Sequence, residues 1–221
     1  MGTDRQTAGS SAAQTKPLKR VLNAGSGHPS SGKLHPFFAR KTWQETRIDI
    51  DPHSKPDIVG SITELGSSCA PQSFDAIWSS HTLEHLYAHE VQTALSEFRN
   101  VLRPDGFALV TSPDLEAVAS LILDHGLDRV AYTSPAGPIT PLDMLFGHSG
   151  LIAQGHRFMA HKTGFTCASL GQHLVDAGFP VAVVKRDGLN LWALSLMREA
   201  KQDEIQRDLL AAGLDLFERK V

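Results

Sequence analysis

Cysteine is scarce in this chain: two in 221 residues, Cys69 and Cys167, far apart and without a CxxC partner. That spacing lacks a disulfide framework or a cysteine-based zinc site, and reads as free thiols in a reducing compartment, with a single bridge between the two as the alternative. Long apolar runs are missing too, and none approaches the roughly 20 residues of a membrane-spanning helix. Residues Met1 to Lys16 are Ser, Thr, Ala, Gln and Gly with little to bury, so they lack the apolar centre of a secretory leader and read as a disordered tail over 1–17. Charge of one sign is lacking as well. Lys and Arg number 21 against 24 Asp and Glu, a formal net charge of -3, which supplies no field to gather phosphate backbones. The expectation is a cytoplasmic protein with neither a membrane nor a nucleic acid as partner.

What is present suits a globular fold. Hydrophobic residues make up 41% and charged residues 20%, ordinary for a single domain, and a chain this long buries roughly 70% of its unfolded surface. Short apolar runs end at turn residues: Leu18 to Asn23, Thr46 to Ile50, Pro56 to Gly60, Ser73 to Ser79 and Phe107 to Thr111. Between the last two lies a helical pattern with Leu86, Val91, Leu95, Phe98, Val101 and Leu102 on one face, stopped by Arg103-Pro104-Asp105-Gly106. A brief helix is expected over Leu34 to Lys41. This alternation predicts an α/β fold, a doubly wound, mostly parallel sheet with ligands at the carboxyl ends of its strands.

Beyond Asp114 the pattern degrades. One helix runs to about Leu123; then comes a stretch rich in Gly, Pro, Ser and His up to Lys162, long enough to be a functional lid or an insertion. Thr166 to Ala177 predicts an amphipathic helix closed by Gly178. Pro180 to Lys185 and Leu189 to Met197, joined by Asp187-Gly188, predict an antiparallel hairpin. Residues 199–221 predict a terminal helix whose stripe of Ile205, Leu209, Leu210 and Leu214 covers the parent sheet or, as the alternative, a second copy in a homodimer. The organisation expected is a tail over 1–17, a domain over 18–198 with its lid at about 114–162, and a C-terminal helix over 199–221.

Two features point to a ligand. Gly25 and Gly27 stand where the first strand turns, and glycine there permits positive φ and close approach of a ligand to the main chain. The amides and the positive end of the next helix would hold the carboxylate of a methionine moiety or, equally, a pyrophosphate. Ser30 occupies the place of the third glycine of the dinucleotide fingerprint, which weakens a nicotinamide-dependent oxidoreductase as an alternative. Asp49, near the end of the second strand, brings a carboxylate beside that turn, where it can accept both hydrogen bonds of a ribose diol; Asp51 is the neighbouring candidate.

The segments Val21-Leu22-Asn23-Ala24-Gly25-Ser26-Gly27, Ile48-Asp49-Ile50-Asp51-Pro52, Phe74-Asp75-Ala76-Ile77-Trp78-Ser79-Ser80-His81 with Leu83-Glu84-His85, and Leu102-Arg103-Pro104-Asp105-Gly106-Phe107 resemble, in order and spacing, the successive motifs of class I, type-11-like S-adenosylmethionine-dependent methyltransferases. The resemblance covers Leu18 to Ser112 and, less closely, the terminal strands. It implies a seven-stranded Rossmann-like sheet, S-adenosyl-L-methionine as cofactor, and Gly25, Gly27 and Asp49 as contacts. There are departures. Asn23 stands where many members carry an acid, Pro29 replaces a third glycine, and the acid that meets the adenine amine would fall near Ser61, which passes adenine recognition to the backbone of Ile62. The expected cofactor-binding set is Asn23, Ala24, Gly25, Ser26, Gly27, Asp49, Ile50, Ser61, Ile62, Ser79 and Ser80.

A sulfonium donor needs no metal or acid to leave, and holding an acceptor in line with its methyl group supplies about 7–11 kcal/mol of the barrier. His81, Glu84 and His85, after the fourth strand, are the expected catalytic group. His81 is a base for a hydroxyl acceptor, or with His85 a shaper of the pocket. Lid histidines His148, His156 and His161 lack the i, i+4 helical pair and any interspersed carboxylate, so no metal is expected. Arg157 and Lys162 would clamp an acidic acceptor or remain a solvated loop face, and Trp78 would lie against the sulfonium or in the core. The functional expectation is methyl transfer to a small molecule beneath the 114–162 segment; the rival is a binding module that keeps the adenosyl ligand and methylates nothing.

Overall fold

The computed structural model describes residues 17–134 and 137–217. The tail expected at the N-terminus, up to Lys16, and residues 218–221 of the expected terminal helix lie outside the described residues.

Seven strands form one sheet in the order β3-β2-β1-β4-β5-β9-β8. The strands are β1 (Lys19–Ala24), β2 (Trp43–Asp49), β3 (Ile58–Val59), β4 (Phe74–Ser80), β5 (Leu102–Pro113), β8 (Val181–Asp187) and β9 (Asn190–Leu196). β1 to β5 pair in parallel, while β9 is antiparallel to both β5 and β8. The order reverses at β1, which has β2 on one side and β4 on the other, and a doubly wound sheet places its ligand crevice at such a reversal.

Side chains alternate between faces along a strand, so a sheet covered on both sides needs strands apolar throughout. Val21 and Leu22 are both fully buried, yet they join different cores. Leu22, Ile77, Ala108 and Val110 pack with α1 (Ala88–Val101) and α5 (Cys167–Asp176) through Leu95, Phe98, Leu170 and Leu174. Val21, Ala76, Phe107 and Leu109 pack on the other face with Phe37, Phe38 and the C-terminal segment. Burying one such Leu or Phe side chain contributes about 1.5–3 kcal/mol.

The helix expected over Leu34 to Lys41 is not formed; that stretch runs as turns. Pro36 pushes His35 away from helical geometry, and His35 Nδ1 accepts from the Phe37 amide at 3.2 Å. Phe37 and Phe38 are driven instead onto the sheet, with Phe38 5.1 Å from the Trp43 ring and 6.2 Å from Phe107. Only a single 3₁₀ turn, Pro29–Ser31, follows the glycine turn, in place of an α-helix with its larger dipole. At the other end, α6 is confined to Gln202–Leu210. It lays Ile205 and Leu209 on the sheet, with Leu214 just after it, and turns Leu210 outward, 55% exposed.

The segment after β5 carries more structure than its composition suggests. It contains α2 (Leu115–His125), a small hairpin of β6 (Tyr132–Ser134) and β7 (Gly137–Ile139), then α3 (Pro141–Phe146) and α4 (Ser149–Ala153). Asp114, fully buried, caps α2 by accepting from the Glu116 amide at 3.0 Å and pairs with Arg186 of β8, which also reaches Glu116. The chain then returns across the sheet end, and a Cβ at Gly147 would lie 1.9 Å from the Met159 carbonyl. No helix among the described residues is long and apolar enough to cross a membrane.

Candidate active site

The carboxyl ends of β1, β2 and β4 open into a cavity of about 220 Å³. Gly25, Gly27, Asp49, Ile50, Ser61, Ile62, His81 and His85 line it, so the fold gathers these expected residues from four separate segments. Lys33, Asp51, Gly60, Thr82, Glu90, His156, Met159 and Lys162 also line it, with Ser54, Leu86 and Phe158.

The glycine turn is held by β2. The amides of Gly25 and Ser26 both donate to the Ile48 carbonyl, at 2.9 and 3.1 Å, and the Gly27 amide donates to Asp49 Oδ2 at 2.7 Å. Asp49 Oδ1 accepts from the Asp51 amide at 2.9 Å. These three turn amides are thus engaged within the protein, and the glycines offer room and shape rather than free donors. Each Asp49 oxygen still has a second lone pair for a ligand hydroxyl. Arg47 braces the same turn, donating to the Gly27 carbonyl at 2.5 Å and the Ser54 carbonyl at 3.0 Å.

Four members of the expected binding set stand behind the wall. Asn23 is buried and donates to Glu45 Oε1 at 2.7 Å, Ala24 and Ser79 are buried in the ends of β1 and β4, and Ser26 is buried in the turn after β1. Trp78 is core: it is 3% exposed, lies 5.9 Å from the Trp192 ring, and donates through Nε1 to the Lys33 carbonyl at 2.7 Å. That bond anchors Lys33, a residue the sequence did not single out, beside the cavity. Lys162 sets its ammonium 4.5 Å from the centre of the Tyr87 ring, while Arg157 is exposed.

A second cavity of about 260 Å³ adjoins the first and shares Lys33, His81, His85 and Met159 with it. Ser80, Glu84, His148 and His161 face this chamber, together with Tyr132, Ile139, Met144, Leu151 and Leu189 from the covering segment and the terminal hairpin. His81 adopts a left-handed backbone, φ 50, its amide donating to the Thr111 carbonyl at 3.0 Å. Its Nδ1 lies 3.2 Å from Glu84 Oε1. Burial raises the Glu84 carboxyl, but the His81 hydrogen bond and the fields of His81, His85 and His161 outweigh it and leave the group below its ordinary value. Burial, followed by the opposing pull of Glu84, leaves the His85 imidazole below its ordinary value.

Comparison with known proteins places this geometry. The family model of a methyltransferase domain matches residues 22–110, a stretch from within β1 into β5 that supplies most of the lining of the first cavity. A methyltransferase from Archaeoglobus fulgidus, dependent on S-adenosylmethionine, superposes with a TM-score of 0.55 at 14% identity, over 81% of this chain and 86% of that one. A second, from Methanosarcina mazei, gives 0.52 at 18% identity over 83% and 94%. No curated protein sequence matches the chain. The likeness to the solved structures is one of fold. The matched segment and the strand order show a methyltransferase domain over residues 22–110, in a fold shared with S-adenosylmethionine-dependent methyltransferases.

Proposed function

We propose that the enzyme transfers the methyl group of S-adenosylmethionine to an oxygen, nitrogen or carbon of a small molecule seated in the second cavity, under the segment spanning residues 114–162. The observation that carries this reading is the pair of adjoining cavities with His81, His85, Lys33 and Met159 at their junction. Together they fall in the usual size range of small-molecule sites, roughly 300–1,000 Å³. The first takes the cofactor: Asp49 grips the ribose, Ser61 and Ile62 flank the adenine, and Gly25 allows the close approach of the methionine end. Lys33, which lines both cavities, is a cationic candidate for the methionine carboxylate now that three turn amides are engaged elsewhere. His81 and His85 stand where donor and acceptor meet. The domain so defined covers 18–198, with the described residues 199–217 as its C-terminal cover.

Calorimetry against S-adenosylmethionine and S-adenosylhomocysteine, followed by incubation of a cell extract with labelled methyl donor, tests the proposal. One labelled small product is expected. Label confined to protein, or absent, defeats the small-molecule reading, and tight adenosyl binding with no product would leave a binding module.

A further inference from the structure

Glu84, His85 and His161 converge on the wall of the second cavity, where an atom from each that is able to bind a metal lies within 4.8 Å of the other two. No stretch of sequence contains the group. Glu84 and His85 sit in the turn after β4, whereas His161 arrives from the far end of the covering segment. The backbone fastens the two together: the amides of Lys162 and Thr163 both donate to the Glu84 carbonyl, at 2.8 and 3.2 Å, and the His161 amide donates to Phe146 at 3.1 Å.

Both imidazoles are oriented from behind. His85 Nδ1 is 3.2 Å from the Ala160 carbonyl and His161 Nδ1 is 2.9 Å from the Met144 carbonyl. A carbonyl only accepts, so in the neutral rings the proton is on each Nδ1 and each Nε2 presents a lone pair. A carbonyl behind one ring nitrogen is how histidines that bind metals are generally fixed. Glu84 is 1% exposed, and its Oε2 is buried without a hydrogen-bond partner among the described residues. An orphaned oxygen on a buried carboxylate is costly, and a cation would satisfy it. His148 does not belong to the set, because its Nδ1 accepts from the Leu151 amide at 3.3 Å, which puts the proton of the neutral ring on Nε2.

We propose that Glu84, His85 and His161 bind one first-row divalent transition-metal ion, such as Zn²⁺, Co²⁺ or Mn²⁺, in a site open to the acceptor chamber. Two imidazoles and one carboxylate are borderline ligands suited to such ions. Ligands about 2.1 Å from a tetrahedral metal stand about 3.4 Å apart, so assembly asks for a contraction of roughly 1 Å, with His161 on a loop to provide it. Three protein ligands leave a position free, and the cavity they line would direct an oxygen of the acceptor to it. This last point rests on the small-molecule reading; metal binding itself does not.

Chelator-treated full-length protein titrated with Co²⁺, followed by calorimetry and by its visible absorption, is the test, since neither donor nor acceptor is needed. One equivalent is expected, displaced by Zn²⁺, with affinity at least tenfold weaker in His161→Ala and in Glu84→Gln and unchanged in His125→Ala at the exposed end of α2. Zn²⁺ should raise the melting temperature of the natural protein and not that of His161→Ala. Because Glu84 is buried and His161 lies on a loop, His161→Ala decides the matter, its metal-free melting temperature serving as the fold control. Absence of stoichiometric Co²⁺ binding, or equal affinity in His161→Ala, overturns the site while leaving methyl transfer untouched.

Discussion

Gly25 and Thr82 meet where the loops after β1 and β4 touch: a Cβ at Gly25 would lie 2.3 Å from both Oγ1 and Cγ2 of Thr82. The Thr82 hydroxyl sits between the Ala24 and Ser80 carbonyls, at 3.1 and 3.2 Å, and so ties the two loops on which the cofactor cleft is built. Gly25 also holds φ at +73, a region that costs a residue with a side chain about 1–2 kcal/mol.

Gly25→Ala should therefore fail on two counts. The positive φ alone lowers stability by about 1–2 kcal/mol, and the collision displaces Thr82 and with it the mouth of the cleft. Affinity for S-adenosylhomocysteine should fall at least tenfold. Gly25→Ala with Thr82→Gly removes the whole colliding side chain, whose Cβ would itself stand 2.8 Å away, but not the strain, so part of the affinity should return. Chemical denaturation and calorimetry on both variants check this; a double variant no better than the single one would show that crowding is not the cause.

Asp49→Asn probes the neighbouring contact. Asp49 accepts from the Gly27 amide through one oxygen and from the Asp51 amide through the other, and an amide side chain can serve only one of them. The turn loosens and the ribose loses its charged acceptor. Binding of S-adenosylmethionine and S-adenosylhomocysteine should weaken several-fold and in parallel, since the methyl group plays no part. Unchanged affinity would remove Asp49 from the ribose.

The sheet was legible in the sequence because its strands are short apolar runs ending at Gly, Pro or Asp, and because Asp187-Gly188 marks the β8–β9 hairpin with its own turn chemistry. Asp49 and the glycine turn were legible for the same reason, as loop residues at strand ends. The first crossover was misread because a Leu34 to Lys41 helix fits the spacing of its apolar residues, whereas Pro36 and the aromatic packing of Phe37, Phe38 and Trp43 decide otherwise. Thr82 and Lys33 carried no local signal, and His161 stood out only as one of several lid histidines. Their importance comes from contacts between segments distant in the chain, such as Lys162 on Glu84, and periodicity along the chain says nothing of those.

Arg186 links the terminal hairpin to the start of the covering segment through Asp114 and Glu116. The three are not equal partners, because Asp114 is fully buried and Glu116 is not. Arg186→Ala leaves a buried carboxylate with its capping bond but without its cation, a loss of about 1–3 kcal/mol, while Glu116→Gln should cost no more than about 1 kcal/mol as an exposed pair. Urea denaturation measures both, and equal losses would refute the ranking.

Asp143 fixes the turn between α3 and α4, and acid should release it. Its carboxylate accepts from the amide and hydroxyl of Thr140, at 3.0 and 2.7 Å, and from the amide and hydroxyl of Ser149, at 2.8 and 2.5 Å. Burial pushes the carboxyl up, but these four bonds outweigh it and hold the group well below its ordinary value of 3.8. The folded state thus binds this proton more weakly than the unfolded chain does. The stabilisation is complete above that ordinary value and is lost as pH falls below it. Asp143→Asn removes part of the cap and should cost about 1–2 kcal/mol at neutral pH. The gap between variant and natural protein should stay level from neutral pH to about pH 5 and close as the pH falls below about 4. Denaturant midpoints across that range decide it: a gap that persists unchanged at pH 3 would mean that the charge on Asp143 contributes nothing and only the shape of the turn matters.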